Sequence, residues 1–315
     1  MKKTICVLLA FIVCAISLCA CGGTEQTKNK DIRKTMYAEL SGFYKGKHLT
    51  SYLEAAALCA AGEDLAAYDC SELFADGVND AQYVISCCFL KKAGAPQESE
   101  SAAAERISKL EEAIRTPDAL DIASLCDTVA ALELYGAEYD RAAVAESLLS
   151  RQDEISGGFY EFPHTSGTSS HISALNTAAA LTAYMLIRHA VRSQIYEDSL
   201  HDSALLYLGD CIEDDNTVNN GSGVSSSAAT AQTLSALIAC DIPQNGEIST
   251  SLLNAIHNFA AISDGVLYGY RDTADGETKR DTAAAILFCV TSTLYGNPYF
   301  AEETSAAGGI TETNN

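Results

Sequence analysis

Three stretches of the chain are apolar almost all the way round a helix. They read SALNTAAALTAYMLI from Ser173, SSAATAQTLSALIAC from Ser226 and KRDTAAAILFCVTST from Lys279. They align on Asn176-Thr177-Ala178, Ala229-Thr230-Ala231 and Asp281-Thr282-Ala283. A fourth copy is Asp127-Thr128-Val129 in LCDTVAALELYG, and weaker ones are SYLEAAALCAAGEDL from Ser51 and DAQYVISCCFLKKAGA from Asp80. The Thr-bearing copies recur about every 50 residues, and such a period marks a repeat architecture. A helix that is hydrophobic on every face has to be buried. Between these segments lie more polar, amphipathic ones, at 102–114, 141–150, 198–208 and 248–259. The alternation predicts inner helices covered by outer ones, with Ser/Asp/Thr turns capping the inner set. One unit cannot bury its own faces, so its neighbours must.

A second pattern accompanies the inner helices. Residues 148–159 read LLSRQDEISGGF, and Ser173-x-x-x-Thr177-Ala178 opens the next helix. Gly265-Val266-Leu267-Tyr268 before Asp281-Thr282-Ala283 is a second version, and Asn220-Gly221-Ser222-Gly223-Val224 before Thr230 a degraded third. This resembles the repeat of prenyltransferase and squalene (terpenoid) cyclase-like α/α toroids. The resemblance spans roughly residues 51–296. It implies one all-α domain over 35–300, an α/α toroid of about five to six helical hairpins around a central cavity.

The chemistry of that fold group is not carried with it. Glu213-Asp214-Asp215-Asn216 lacks the first acid of an Asp-x-Asp-Asp donor, and no Asp-Asp-x-x-Asp magnesium pattern occurs. The Gly-Cys-Gly-Glu-Gln of thioester domains is absent, and no C-x-x-C supports zinc. Neither a cofactor nor a metal is expected. In the resemblance, the loops before the inner helices sit at the cavity mouth. One carries Tyr160, Phe162, His164 and His171, with Asn176 at the following helix start; neutral imidazoles there could bind a metal or move a proton, although a separation of seven fits no compact ligand motif. The other carries Tyr268, Tyr270, Arg271, Arg280 and Asp281, aromatics and cations near a helix N-terminus that would suit an anion or a sugar. These ten residues are the candidate ligand contacts, weighed against plain loop packing and exposed ion pairs. No catalytic residue is assigned.

Composition narrows the partners. Twenty basic against 42 acidic residues give a net charge of −22, with no basic patch for a phosphate backbone, so nucleic acid is excluded. A hydrophobic content of 48% supports a sizeable core, and 5 Pro with no Trp suit a helical chain without aromatic Gln-Trp repeats. Lys2 and Lys3 precede an apolar run from Ile5 to Leu18, then Leu18-Cys19-Ala20-Cys21-Gly22-Gly23. This resembles the lipobox of bacterial lipoproteins. It implies a signal peptide over 1–20, a lipidated Cys21, a polar tether over 21–34, and an address on the extracytoplasmic face of a bacterial membrane, with the lipid bilayer as partner. Residues 301–315 read as a disordered tail. Eight later cysteines lie mainly in apolar helical contexts and are expected as free thiols, with disulfides the alternative.

The function expected from these features is non-catalytic: a lipid-anchored surface protein whose cavity binds a small molecule, peptide or glycan. The alternatives are a cyclase- or lyase-like enzyme with unorthodox acids, and a structural or adhesive protein-binding module.

Overall fold

The computed structural model describes residues 31–95, 100–163, 171–219 and 221–300. Cys21, the signal and most of the tether, His164 and the tail from 301 lie outside the described residues. Met1–Asp31 separates from Ile32–Asn315, and the fold belongs to the second unit.

Six inner helices form a closed ring: α2 (Tyr52–Ala60), α3 (Asp80–Lys92), α5 (Ile122–Tyr135), α7 (Ala174–Val191), α9 (Ser227–Ala239) and α11 (Arg280–Tyr295). Each packs on the next, and α11 packs back on α2. The outer layer is α1 (Ile32–Tyr44), α4 (Glu100–Ala113), α6 (Arg141–Leu149), α8 (Ala204–Asp210) and α10 (Glu247–His257). A π-helical stretch, Glu197–Ser203, leads into α8. The chain is an α/α toroid. Helix α1 begins at Ile32, inside the segment read as tether. Between α2 and α3 the described chain holds two 3-10 turns, Leu65–Ala67 and Ser71–Phe74, where an outer helix would complete the layer.

The repeat pattern has a physical cause. Ser173 and Ser226 cap α7 and α9, and the Thr four residues later sits one turn in on each helix. Thr177 Oγ1 accepts the Phe159 N–H at 3.1 Å, and Thr230 Oγ1 accepts the Val218 N–H at 2.9 Å. Each hydroxyl also donates to the carbonyl of its own cap residue. The Thr therefore pins the incoming strand-like segment to the inner helix and satisfies a buried backbone donor. In Gly157-Gly158-Phe159 a side chain at either glycine would collide, at Gly157 with the Ser203 backbone and at Gly158 with Ile172 and Tyr207. Phe159 is fully buried. Gln152 Nε2 donates to the Gly157 and Ser199 carbonyls at 3.0 and 2.6 Å, tying the turn to the outer layer.

The all-α expectation needs one amendment. A three-stranded antiparallel sheet, β3 (Ala260–Ser263), β4 (Val266–Arg271) and β5 (Thr278–Lys279), stands before α11, and a short pair, β1 (Val218–Asn219) and β2 (Ser225–Ser226), stands before α9. Asp264 and Gly265 join β3 to β4 with both φ values positive, as a two-residue hairpin turn of the primed type requires.

The ring closes at one seam. Glu54, in the first turn of α2, is completely buried. Its Oε1 accepts from Arg280 Nε at 2.9 Å, and its Oε2 accepts the Thr50 and Ser51 N–H groups at 2.7 and 3.3 Å. Arg280 also donates to the His48 carbonyl. All eight described cysteines are free, four of them buried. No helix among the described residues is long and apolar enough to cross a membrane.

Candidate active site

The inner helices leave a cavity of about 180 Å³ that opens to solvent at its mouth. Its wall follows a register. Counted from each N-cap, the sixth residue is Asp127 on α5, Ala179 on α7, Gln232 on α9 and Ala285 on α11; the ninth is Thr182, Ser235 and Phe288 on the last three. All seven line the cavity, with Tyr52 and Leu53 from the start of α2. Asn297 and Tyr299 enter from the segment after α11. The Asn297 Nδ2 donates to the Ser235 carbonyl at 3.2 Å, and its Oδ1 accepts the Tyr299 N–H at 3.1 Å, so this segment is fixed to the ring. The Tyr299 ring packs on Phe288 at 5.1 Å between centroids.

Asp127 is the one carboxyl among the described residues that line the cavity. Tyr52 Oη donates to its Oδ1 at 2.9 Å, and Gln82 Nε2 approaches its Oδ2 at a weak 3.4 Å. Burial pushes the Asp127 carboxyl above its ordinary value; those two neutral donors pull the other way without reversing it, and the neighbouring Asp121 adds to the rise. No cation offsets the loss of water. Burial likewise holds Tyr52 and Tyr299 well above the usual phenol range, with the carboxyl of Asp127 adding to both, so each remains a protonated donor. Cys126, deep beside Asp127, is kept as a thiol by the same burial. The arrangement is a carboxylic acid that favours keeping its proton, held on one oxygen by a phenol and facing a partly solvated cavity. Such a group is suited to give a proton. Among the described residues no group of three His, Cys, Asp or Glu could hold a metal.

The residues singled out from the sequence lie elsewhere. Tyr160 donates to Asp153 Oδ1 at 3.3 Å in an outer turn. Phe162 is exposed, and so is His171, whose carbonyl accepts from Asn176 Nδ2 at 3.4 Å. Tyr268 is 62% exposed on β4, whereas Tyr270 is fully buried with its hydroxyl 3.4 Å from His257 Nδ1. Arg271 is exposed and donates to the Ala274 carbonyl at 3.5 Å; Arg280 is committed to Glu54; Asp281 is exposed in the first turn of α11. The structure does not bring these residues together, and none of those described lines the cavity. Sequence reading missed Tyr52, Gln82, Asp127, Gln232 and Tyr299 as site residues. Counting six residues from each inner cap would have exposed Asp127 as the acid in an otherwise neutral ring position.

No protein-family model and no curated protein matches the sequence. Among solved structures the chain is similar to a mutant of unsaturated glucuronyl hydrolase from Streptococcus agalactiae. The TM-score is 0.48, identity is 12%, and the match covers 84% of this chain and 88% of that one. The unmutated enzyme matches with a TM-score of 0.47 and 11% identity, over 84% and 89%. The expectation of a non-catalytic binder, with its cyclase, lyase and adhesive alternatives, is corrected here to this extent: the solved structures that the chain is similar to are hydrolases by name. Asp127 belongs to no short linear acid motif, because it sits inside a helix six residues from the Asp121 cap.

Proposed function

We propose that the cavity hydrolyses a sugar-containing substrate, with Asp127 as the proton donor. The observation that carries this reading is Asp127 itself, a cavity carboxyl with a hydroxyl partner and no cation. The wall supports a sugar. It sets the rings of Tyr52, Phe288 and Tyr299 beside the free amide of Gln232 and the hydroxyls of Thr182 and Ser235. A sugar offers apolar C–H faces and many hydroxyls, and this mixture meets both.

Most glycosidases set two carboxyls across the scissile bond. One carboxyl among the described lining residues must then act twice. Tyr52 holds Oδ1, which places the proton on Oδ2. That proton passes to the leaving oxygen as the glycosidic bond breaks, and the resulting carboxylate takes a proton from the water that adds. The sum is substrate plus water giving two products, with Asp127 restored. The test is turnover of aryl glycosides and short glycans by the purified protein. Turnover lost in Asp127→Asn, with the fold kept by circular dichroism, supports the reading. Turnover that survives at the original rate overturns it.

We also propose that the domain is held outside a bacterial membrane by a lipid on Cys21, a reading supported by the lipobox-like Leu18-Cys19-Ala20-Cys21. Palmitate labelling of the native chain, absent in Cys21→Ala together with release to the soluble fraction, is the expected result; an unlabelled native chain overturns it.

A further inference from the structure

Resting on the hydrolase reading, we infer that the cavity takes a neutral sugar and discriminates against its uronate counterpart, in contrast to the glucuronyl named for the similar solved enzyme.

The inference comes from the charges on the wall. Recognition of a buried carboxylate calls for a guanidinium, an ammonium or a cluster of backbone N–H groups. Among the described residues lining the cavity there is no Arg, Lys or His. The lining from α7, α9 and α11 comes from inside the helices; Tyr52, Leu53 and Ala123 come from the first turns of α2 and α5, where Ser51 and Asp121 already accept the Leu53 and Ser124 N–H groups. Four of the arginines are engaged elsewhere: Arg280 on Glu54, Arg188 on Glu197, Arg141 on Glu133, Arg151 on backbone carbonyls. Among the described lining residues, what remains to meet a ligand is the Gln232 amide, the hydroxyl oxygens of Thr182 and Ser235 as acceptors, their protons being given to the Ala178 and Ala231 carbonyls, and aromatic faces. These suit hydroxyl groups.

Among the described lining residues the one charge that can develop is negative. After proton transfer Asp127 is a carboxylate, and a uronate beside it would be a second anion in the same poorly solvated space. Nothing that acts on Asp127 is cationic: burial, two neutral donors and another acid account for its behaviour. Two like charges about 6 Å apart at an effective dielectric near 20 cost on the order of 100-fold, and because the charge on Asp127 appears with proton transfer this penalty falls on turnover, whereas the binding difference comes from burying a uronate without a cation. The net charge of −22 adds a longer-range field of the same sign.

Matched pairs test this: methyl glucoside against methyl glucuronide, and methyl galactoside against methyl galacturonide, in both anomers. Binding is read by calorimetry on the purified wild type and on Asp127→Asn, and turnover by using the corresponding aryl glycosides. The neutral member of at least one pair is expected to bind at least 10-fold more tightly, with little dependence on salt. Ala179→Arg, which puts a cation on the wall, is expected to narrow or invert that ratio. A uronate bound as well as or better than its neutral partner overturns the inference and leaves the hydrolase reading standing. Neutral binding without turnover supports the inference and sinks the hydrolase reading. Binding of neither member overturns both.

Discussion

Glu54 and Asp127 are both acids on inner helices, and the ring treats them in opposite ways. Glu54 has an arginine and two backbone N–H groups, so all its charge is answered. Asp127 has a phenol and a distant amide. A buried carboxylate met by cation and donors holds elements together, and one left short of partners keeps its proton. The first marks a joint, and the second is where the proposed chemistry would sit. The sharpest way to break this contrast is to remove each acid in turn.

Asp127→Asn should lower turnover by about 10²–10⁴-fold, the usual worth of a positioned proton donor. It should not unfold the ring. The sign follows from the direction of its shift: a carboxyl raised in the folded state stabilises the fold below its unfolded value and loses that contribution as pH rises through the folded one. At neutral pH the amide removes this burden, so the melting temperature should hold or rise, as a thermal scan will show. Glu54→Ala should do the reverse in kind. It strands a partly buried guanidinium at the seam and should cost about 2–4 kcal/mol in urea unfolding. Pairing it with Arg280→Ala should recover part of that loss, and simple additivity of the two would break the idea of a joint.

Smaller effects sharpen the same comparison. Thr230→Val removes the acceptor of the buried Val218 N–H and should cost about 1–3 kcal/mol with turnover preserved per folded molecule. Glu197, near the surface, is the mildest case. Arg188 donates to it at 2.6 Å, with Tyr184 a second donor, and they pull its carboxyl down to about 2 against desolvation. Its contribution is present above its ordinary value and disappears as pH falls from about 4.5 to about 2. Acid unfolding of Glu197→Gln should be flatter in that window; an unchanged slope would assign the acid transition to other groups.

The inner helices were readable because their burial is written into every face, as in Ala174–Val191, and because Ser173 and Thr177 sit at fixed places in the first turn. The hairpin of β3 and β4 was less readable: its alternation covers only Val266 to Tyr270 and was hidden among loop residues. The site was not readable for a different reason. Tyr52, Asp127, Gln232 and Tyr299 are scattered over nearly 250 residues, and only closure of the ring brings them to one axis. In the sequence alignment Asp127 matched Asn176 and Asp281 beside the Thr, yet it lies a turn deeper, six residues from its cap against three for Asn176. That offset turns a cap-like acid into a cavity wall.

The seam between Glu54 and Arg280 joins parts of the chain made early and late. While the protein is being synthesised, the first inner helix waits for the last, with its acid unanswered and the ring open. A nascent chain stopped before residue 280 has no enclosed chamber, and Tyr299, which lines it, arrives later still. Closure of the chamber is thereby withheld until the last inner helix and Tyr299 have been made, by connectivity alone.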